Sequence, residues 1–204
     1  MSPPATTPPR RADARRNVAA ILDAAQECLI RDPEATVAQI AQAAGVGRVT
    51  LYGHFATRTE LVDAVFERVT AQADTMLAAT DVSGDPMAAL ARLVTANWQV
   101  VHRFRAVLAA AERELPPARV RGHNDRHLRR LTALLARGRA EGAFRTDLPE
   151  QWLATTAYTL MHAAAHECAA GRLDPVGAGV ALTATLTAAF APPPPPGAPG
   201  GHGT

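Results

Sequence analysis

A short run of hydrogen-bonding side chains lies between residues 48 and 58. Arg48, Thr50, Tyr52 and His54 occupy alternate positions, and Arg58 follows four residues later. Arginine can donate two hydrogen bonds to the O6 and N7 atoms of guanine, and threonine can place its methyl group against that of thymine. Tyrosine, histidine and a further arginine suit phosphate oxygens. These residue types at this spacing predict contacts with duplex DNA.

The distribution of charge favours the same partner. The net charge is only +2, and the chain has no lysine, so all 21 cationic residues are arginines. No carboxylate occurs between Glu34 and Glu60, so the run lies in a window without acidic side chains. A second basic cluster opens the first predicted helix, either as a solvated helix end or as an arm on DNA. Its members are Arg10, Arg11, Arg15 and Arg16.

Two short predicted helices are needed to present the run. Thr36 opens the first with the spacing of a capping box, and a tight turn, Gly45-Val46-Gly47, joins it to a second helix at Arg48–His54. Leu51 and Phe55 are four residues apart and are predicted to face the core. This arrangement predicts a helix-turn-helix whose second helix enters a major groove. The alternative is ordinary packing of small helical residues without DNA.

The rest of the chain also has helical patterning. Hydrophobic residues make up 48% of it, many of them alanine, and strand-like runs are absent, so we predict an all-α fold of about nine helices. The predicted helices are Arg11–Arg31, Thr36 to Gly45, Arg48–His54, Thr57–Ala79, Asp85–His102, Phe104–Glu114, Ala118–Glu141, Pro149–Ala170 and Asp174–Phe190.

The segment from Arg16 to Val65 resembles the DNA-binding domain of the TetR (tetracycline repressor) family. The resemblance rests on Thr50-Leu51-Tyr52-Gly53-His54-Phe55, followed by Arg58 and Leu61. One departure is Gly47, which stands where Ser or Thr usually caps the recognition helix. The resemblance implies DNA contacts from Thr36, Arg48, Thr50, Tyr52, His54 and Arg58.

The resemblance also implies a domain organisation. A three-helix helix-turn-helix domain, residues 10–56, is followed by a helical effector-binding and dimerisation domain, residues 57–190. Residues 1–9 and 191–204 are rich in Pro, Gly and Thr and are predicted to be disordered tails. The last two helices are expected to form a homodimer contact. Candidate positions for it are Leu153, Ala157, Leu160, Ala164, Val180, Leu182, Leu186 and Ala189.

A pocket for a small, partly aromatic effector is predicted among the fifth to eighth helices. For each of its residues, simple core filling is the alternative. Its predicted lining consists of Trp98, His102, Phe104, His127, Tyr158, Met161 and His162.

Metal and cofactor sites are not predicted. Two histidine pairs, His123/His127 and His162/His166, have the spacing of ligands on one helix face, but neither has a third ligand at a convincing spacing. Cys28 and Cys168 lie far apart and suggest neither a disulfide framework nor a zinc site. With no signal peptide and no membrane span in the sequence, the expected location is the cytoplasm.

Together these features predict a sequence-specific transcription regulator. We expect a repressor that leaves a pseudo-palindromic operator when an effector shifts the population of dimer conformations. An enzyme using His162, His166 or Glu167 is the rival from another class, but no nucleophile elbow, phosphate loop or cofactor fingerprint accompanies these residues. A non-specific architectural DNA-binding protein is the third possibility.

Overall fold

The computed structural model describes the backbone of residues 9–194 and the side chains of residues 13–122 and 128–194. Over these residues the chain forms α-helices and no β-strand, which confirms the all-α fold class. The helices are α1 (Pro9–Arg31), α2 (Val37–Ala43), α3 (Arg48–Tyr52), α4 (Arg58–Ala78), α5 (Pro86–Glu114), α6 (Pro117–Ala140), α7 (Glu150–Ala169) and α8 (Pro175–Phe190).

The helices pack into two compact units. The first contains the chain through Asp74 together with Arg103–His123, and the second contains Thr75–His102 together with the residues from Asn124 onward. In the first unit α1 packs on α2, and α2 packs on α3. The first unit therefore includes the predicted helix-turn-helix.

Helix α5 differs from the prediction. We expected a break between His102 and Phe104, but the helix is continuous from Pro86 to Glu114. No proline or glycine lies near the expected break, so the hydrogen-bond ladder has no reason to stop there. The predicted fifth and sixth helices are therefore one element. It ends where Pro116 and Pro117 follow in the sequence.

Two helix starts are capped as their sequences indicate. The Asp85 carboxylate accepts a hydrogen bond from the Ala88 amide at 2.7 Å, and α5 begins at Pro86. Asp174 caps α8 in the same way through the Gly177 amide, also at 2.7 Å. Each aspartate satisfies an N–H group that the first turn of a helix leaves unpaired, and proline suits the position that follows the cap.

The predicted tails lie mostly outside the described residues, which exclude 1–8 and 195–204. Pro9, assigned to the first tail in the prediction, is the first residue of α1. Residues 191–194 are described and are not helical. None of the helices in the described part of the chain has the length and apolar composition that would let it cross a lipid bilayer.

The second unit has its own apolar core, in which α7 packs on α8. Five of the side chains that we expected at a dimer contact are buried in this core instead, and Leu160 and Ala189 pack against it. Of the expected contact residues Val180 alone is an exposed large hydrophobic, with 68% of its surface accessible. The helical spacing of apolar residues in the sequence identified the apolar faces of α7 and α8. It did not show which of these faces is buried within the protomer. The five buried residues are Leu153, Ala157, Ala164, Leu182 and Leu186.

Candidate DNA interface

Helix α2 begins with the capping box predicted for Thr36. The Thr36 hydroxyl accepts a hydrogen bond from the Gln39 amide at 3.3 Å, and the Gln39 side chain accepts one from the Thr36 amide at 2.7 Å. Two amide groups at the helix start are thereby satisfied. Thr36 is nevertheless exposed, so its surface is available beside the start of the helix.

The turn after α2 depends on Gly45. Its φ is 67°, a left-handed conformation that glycine adopts without the steric cost of a Cβ atom. The next amide, of Val46, donates to the Ala41 carbonyl at 3.0 Å and closes the end of the helix. Ala41 and Ile40 are buried, so the small side chain at 41 lies in the interior of the first unit.

Helix α3 is shorter than predicted, because it ends at Tyr52 rather than at His54. Gly53 caps its C-terminus, and the His54 amide donates to Leu51 in a turn. Glycine is a poor helix former, which accounts for the early end. Leu51 is 1% exposed and faces the core as predicted, whereas Phe55 is only partly buried.

The outer face of α3 carries the side chains that the sequence indicated, and one that it did not. Arg48, Thr50 and Tyr52 are exposed, and His54 is half-buried beyond the helix end. Val49 is 88% exposed, although a valine in this pattern reads as a core residue. A methyl-bearing side chain of this kind can contact the C5-methyl group of thymine in a major groove. The signal missed in the sequence was its position two residues before the inward-facing Leu51, which places it roughly 200° away, on the opposite side of the helix.

Helix α4 begins with half of a capping box. The Thr57 hydroxyl accepts from the Glu60 amide at 3.1 Å, as its spacing predicts. The Glu60 carboxylate reaches the Ala56 amide at 2.7 Å rather than that of Thr57. The acidic side chain also lies at the positive end of the helix dipole, which favours it there.

The Arg58 side chain is turned toward the protein. Its Nε donates to Glu114 Oε1 at 2.9 Å, and its Nη2 donates to the Pro33 carbonyl at 3.1 Å. Its Nη1 donates to the carbonyl of Ala35. Only 26% of the side chain is exposed. The phosphate contact expected of Arg58 stays a prediction.

A groove of about 570 Å³ opens beside these residues in the first unit. Four of the six predicted DNA-contacting residues line it: Thr36, Arg48, Tyr52 and Arg58. Thr50 and His54 are not among its lining residues. The groove is also lined by Pro33, Glu34, Val37, Ala38, Ala110, Arg113 and Glu114.

The structure describes the side chains of two of the four arginines in the basic cluster of α1. Arg15 and Arg16 are exposed, and Arg16 forms an ion pair with Asp13. The side chains of Arg10 and Arg11 lie outside the described residues. The role of this cluster as a DNA arm stays a prediction.

Comparison with known proteins identifies the domain. Residues 21–65 match the family model described as bacterial regulatory proteins, tetR family. The HTH-type transcriptional repressor LfrR of Mycolicibacterium smegmatis is 38% identical over 91 residues, which is 44% of this chain. The match spans 48% of that relative, about half its length. Over residues 21–65 this chain is therefore similar to regulators of the TetR family.

Solved structures extend the likeness to the whole fold. A crystal structure of the TetR-like regulator LfrR from Mycobacterium smegmatis, in complex with proflavine, has a TM-score of 0.67 and 26% identity, and the match covers 86% of this chain and 97% of that one. The regulator FadR of Bacillus subtilis, in complex with stearoyl-CoA, has a TM-score of 0.68 over 85% of this chain and 99% of its own. Its identity is 16%, so it supports the fold alone.

The residues predicted to bind an effector do not all come together. Trp98 and His102 form a tilted ring pair with centroids 5.5 Å apart, and Tyr158 and His162 form another at 4.2 Å. Met161 is buried in the core of the second unit. Phe104 is buried in the first unit, and the side chain of His127 lies outside the described residues.

Trp98 has the structural role that the sequence analysis gave as the alternative to effector binding. Its indole Nε1 donates to the Pro175 carbonyl at 2.9 Å, and the side chain is 6% exposed. A Cβ atom at Gly179 would lie 2.7 Å from the indole Cδ1, so the glycine allows α8 to approach this ring. Core filling therefore accounts for Trp98, whether or not an effector also touches it.

The histidines of α7 do not form a cluster suited to a metal. His162 is half-buried, and His166 is exposed. Burial lowers the pKa of His162 from its ordinary value of 6.5, because the charged imidazolium is poorly solvated there. Over the described residues no group of three or more potential metal ligands occurs.

Proposed function

We propose that this protein is a sequence-specific DNA-binding repressor that a small-molecule effector releases from a pseudo-palindromic operator. The observation that carries the proposal is the outer face of α3, on which Arg48, Val49, Thr50 and Tyr52 are exposed while Leu51 is buried. Arg48 and Thr50 are proposed to read base edges, and Val49 to contact thymine. Thr36, Tyr52 and His54 are proposed to bind the sugar-phosphate backbone.

A homodimer is the second part of the proposal. Val176, Val180, Ala184 and Ala188 are exposed at four-residue spacing on α8, and Trp152 of α7 is 59% exposed. An apolar stripe of this kind is typical of a protein–protein contact. A two-fold dimer would place two recognition helices about 34 Å apart, in successive major grooves.

Selection of random duplex DNA by the purified protein tests both parts. We expect an enriched half-site that occurs twice in inverted order, because the symmetry of the operator mirrors that of the dimer. The preferred site should bind roughly a thousandfold more tightly than bulk DNA at physiological salt. Equal affinity for all duplexes would instead indicate an architectural DNA-binding protein.

Effector release is proposed for the second unit. LfrR has been solved with proflavine and FadR with stearoyl-CoA, a planar aromatic compound and an acyl thioester. The two aromatic–histidine pairs in α5 and α7 favour an aromatic effector here. An effector that acts in this way must bind the two conformational states differently, and typical coupling is about 1–3 kcal/mol.

Proflavine is therefore the first probe to titrate against the complex of protein and selected operator, with stearoyl-CoA as the comparison. We expect proflavine to reduce the anisotropy of a labelled operator, and stearoyl-CoA to have less effect. If stearoyl-CoA releases the operator and proflavine does not, the effector would be an acyl compound rather than an aromatic one. A reporter strain should show derepression when the gene is deleted, and a fall in expression would indicate an activator.

The proposal assigns no catalytic activity to the chain and places it in the cytoplasm, where the DNA is. Glu167, which the rival enzyme interpretation would use, forms an ion pair with Arg172 on an exposed surface. This pair lowers the pKa of the Glu167 carboxyl, which disfavours a role as general acid.

A further inference from the structure

The end of α5 forms two ion pairs, one with the start of α4 and one with the loop that precedes α2. Glu114 accepts from Arg58, and Arg113 pairs with Glu34. The second oxygen of Glu114 accepts from the Thr59 hydroxyl at 3.3 Å. We call Glu34, Arg58, Arg113 and Glu114 the clasp. It joins the loop between α1 and α2, the start of α4 and the end of α5, all within the first unit.

The two ion pairs differ in their surroundings. The side chains of Arg58 and Glu114 are 26% and 27% exposed, whereas those of Arg113 and Glu34 are 58% and 72% exposed. Exposed ion pairs contribute little, because water and salt screen them. The partly buried pair is screened less, and Arg58 adds two hydrogen bonds to backbone carbonyls. The clasp therefore depends mainly on Arg58 and Glu114.

The clasp matters because of where the two carbonyl groups bound by Arg58 lie. Pro33 and Ala35 lie in the loop directly before Thr36, the N-cap of α2. Ala35 is 4% exposed, so this part of the loop is buried. Arg58 thus fixes the point at which the chain enters α2, and α2 packs on α3. Phosphate binding by Arg58 would require the guanidinium to give up acceptors that it already has.

We infer that Arg58 and Glu114 are positioning residues for DNA recognition, which hold the start of α2 in place, and that Arg58 is not a phosphate contact. The inference rests on the proposed function, because it concerns binding to an operator. For Glu114 the inference predicts the opposite of what its charge alone would predict. Removing a negative charge near a DNA-binding surface ordinarily strengthens binding to every sequence.

The decisive variant is Glu114→Gln in the full-length protein, measured by fluorescence anisotropy on the selected operator and on a scrambled duplex. We expect operator affinity to fall by on the order of tenfold, as for other mutations that alter coupling without touching the ligand. Affinity for the scrambled duplex should stay the same or rise slightly. Tighter binding of both duplexes would overturn the inference, since it would mean that Glu114 restrains a phosphate-binding arginine.

Glu34→Gln is the matched control, because it also replaces a glutamate of the clasp by its amide but at an exposed position. We expect this variant to keep operator affinity within about twofold of the wild type. The double variant Arg58→Gln/Glu114→Gln should lose no more affinity than Arg58→Gln alone, since the two residues act as one unit. Additive losses would contradict the pairing.

The salt dependence of binding separates positioning from phosphate contact. A lost phosphate contact lowers the slope of log K against log salt by about one, whereas a lost positioning residue leaves the slope unchanged. We expect Arg58→Gln to keep the wild-type slope. A slope reduced by about one would overturn the inference.

Amide hydrogen exchange provides a readout without DNA. We expect Glu114→Gln to accelerate exchange of the Gln39 and Ile40 amides, which close the first turn of α2, with unchanged total helicity by circular dichroism. Unchanged exchange would overturn the inference. If the wild type binds no duplex preferentially but exchange is accelerated, the proposed function fails and the positioning of α2 by Glu114 stands.

Discussion

The recognition helix combines one buried leucine with neighbours that all face outward. Because α3 has only five residues, a single inward side chain, Leu51, anchors it. This leaves Arg48, Val49, Thr50 and Tyr52 free to face DNA. Substitutions on this exposed face could change the preferred DNA sequence without loss of the fold. Substitutions at exposed positions usually alter the free energy of unfolding by less than about 0.5 kcal/mol.

Arg48→Ala is expected to cost about 1–3 kcal/mol of binding, concentrated at one base pair of each half-site. The reason is the loss of a bidentate contact to guanine, which leaves the other positions unaffected. Competition with operators substituted one base pair at a time measures this. Arg172→Ala, an exposed arginine of the second unit, is the control. Equal loss on every sequence would assign Arg48 to the phosphates instead.

His162 should make stability depend on pH. Burial lowers its pKa below the ordinary value of 6.5, so the unfolded chain binds the proton more readily than the folded one. The free energy of unfolding therefore falls as the pH drops through the pKa of His162 in the unfolded chain. It stops falling once the pH is below the pKa of His162 in the folded protein. We expect urea denaturation to show a smaller loss between about pH 7.5 and about pH 5.5 in His162→Gln than in the wild type.

The exposed histidine of the same helix supplies the control for this experiment. His166→Gln removes an imidazole from α7 without altering a half-buried site. If both variants show the same dependence of stability on pH, burial of His162 is not its source.

At the scale of elements, α3 lacks the side-chain cap that α2 and α8 have. Thr36 and Asp174 cap α2 and α8 through their side chains, whereas Gly47 offers no side-chain hydrogen bond to α3. The backbone of Gly47 is already extended, with φ −69° and ψ 150°. An added Cβ would meet only the Thr50 hydroxyl, at 3.9 Å. A serine would therefore fit without strain.

Gly47→Ser is expected to stabilise the protein by about 0.5–1 kcal/mol. The hydroxyl would accept an amide hydrogen bond at the helix start, and the side chain would reduce the freedom of the unfolded chain. Urea denaturation should show a higher midpoint with an unchanged slope. Gly47→Ala separates the two effects, because it lacks the hydroxyl. Equal stability of the two variants would show that no cap forms.

At the scale of the whole molecule, we propose that the exposed apolar stripe of α8 contacts a second copy of the chain. Val180→Asp should convert a dimer into a monomer in sedimentation at about micromolar concentration, because burying an unpaired carboxylate in an apolar contact is costly. Val180 is 68% exposed in the protomer, so helicity should not change. Operator affinity should fall, since the two half-sites would no longer be bound together.

Thr146→Asp, at an exposed loop position, is the control for added charge. It should leave the sedimentation coefficient and the operator affinity as in the wild type. A Val180→Asp protein that stays dimeric would place the contact on another surface of the second unit.

The helix-turn-helix was predictable from the sequence because its signals are local. A capping box spans only four residues, and the turn requires one glycine with a left-handed backbone, so Thr36 and Gly45 could be interpreted from their immediate neighbours. The same holds for the aspartate caps of α5 and α8. The predicted end of α3 at His54 was wrong, since Gly53 ends the helix at Tyr52.

Features that depend on residues far apart in the chain were evident only from the tertiary structure. Arg58 and Glu114 are 56 residues apart, and no local pattern pairs them. Helix α8 has apolar side chains on more than one face, and only its packing in the core of the second unit places Leu182 and Leu186 inside and Val180 outside. Val49 is exposed for the same reason. Periodicity indicates which residues share a face, and the neighbouring elements determine whether that face is buried.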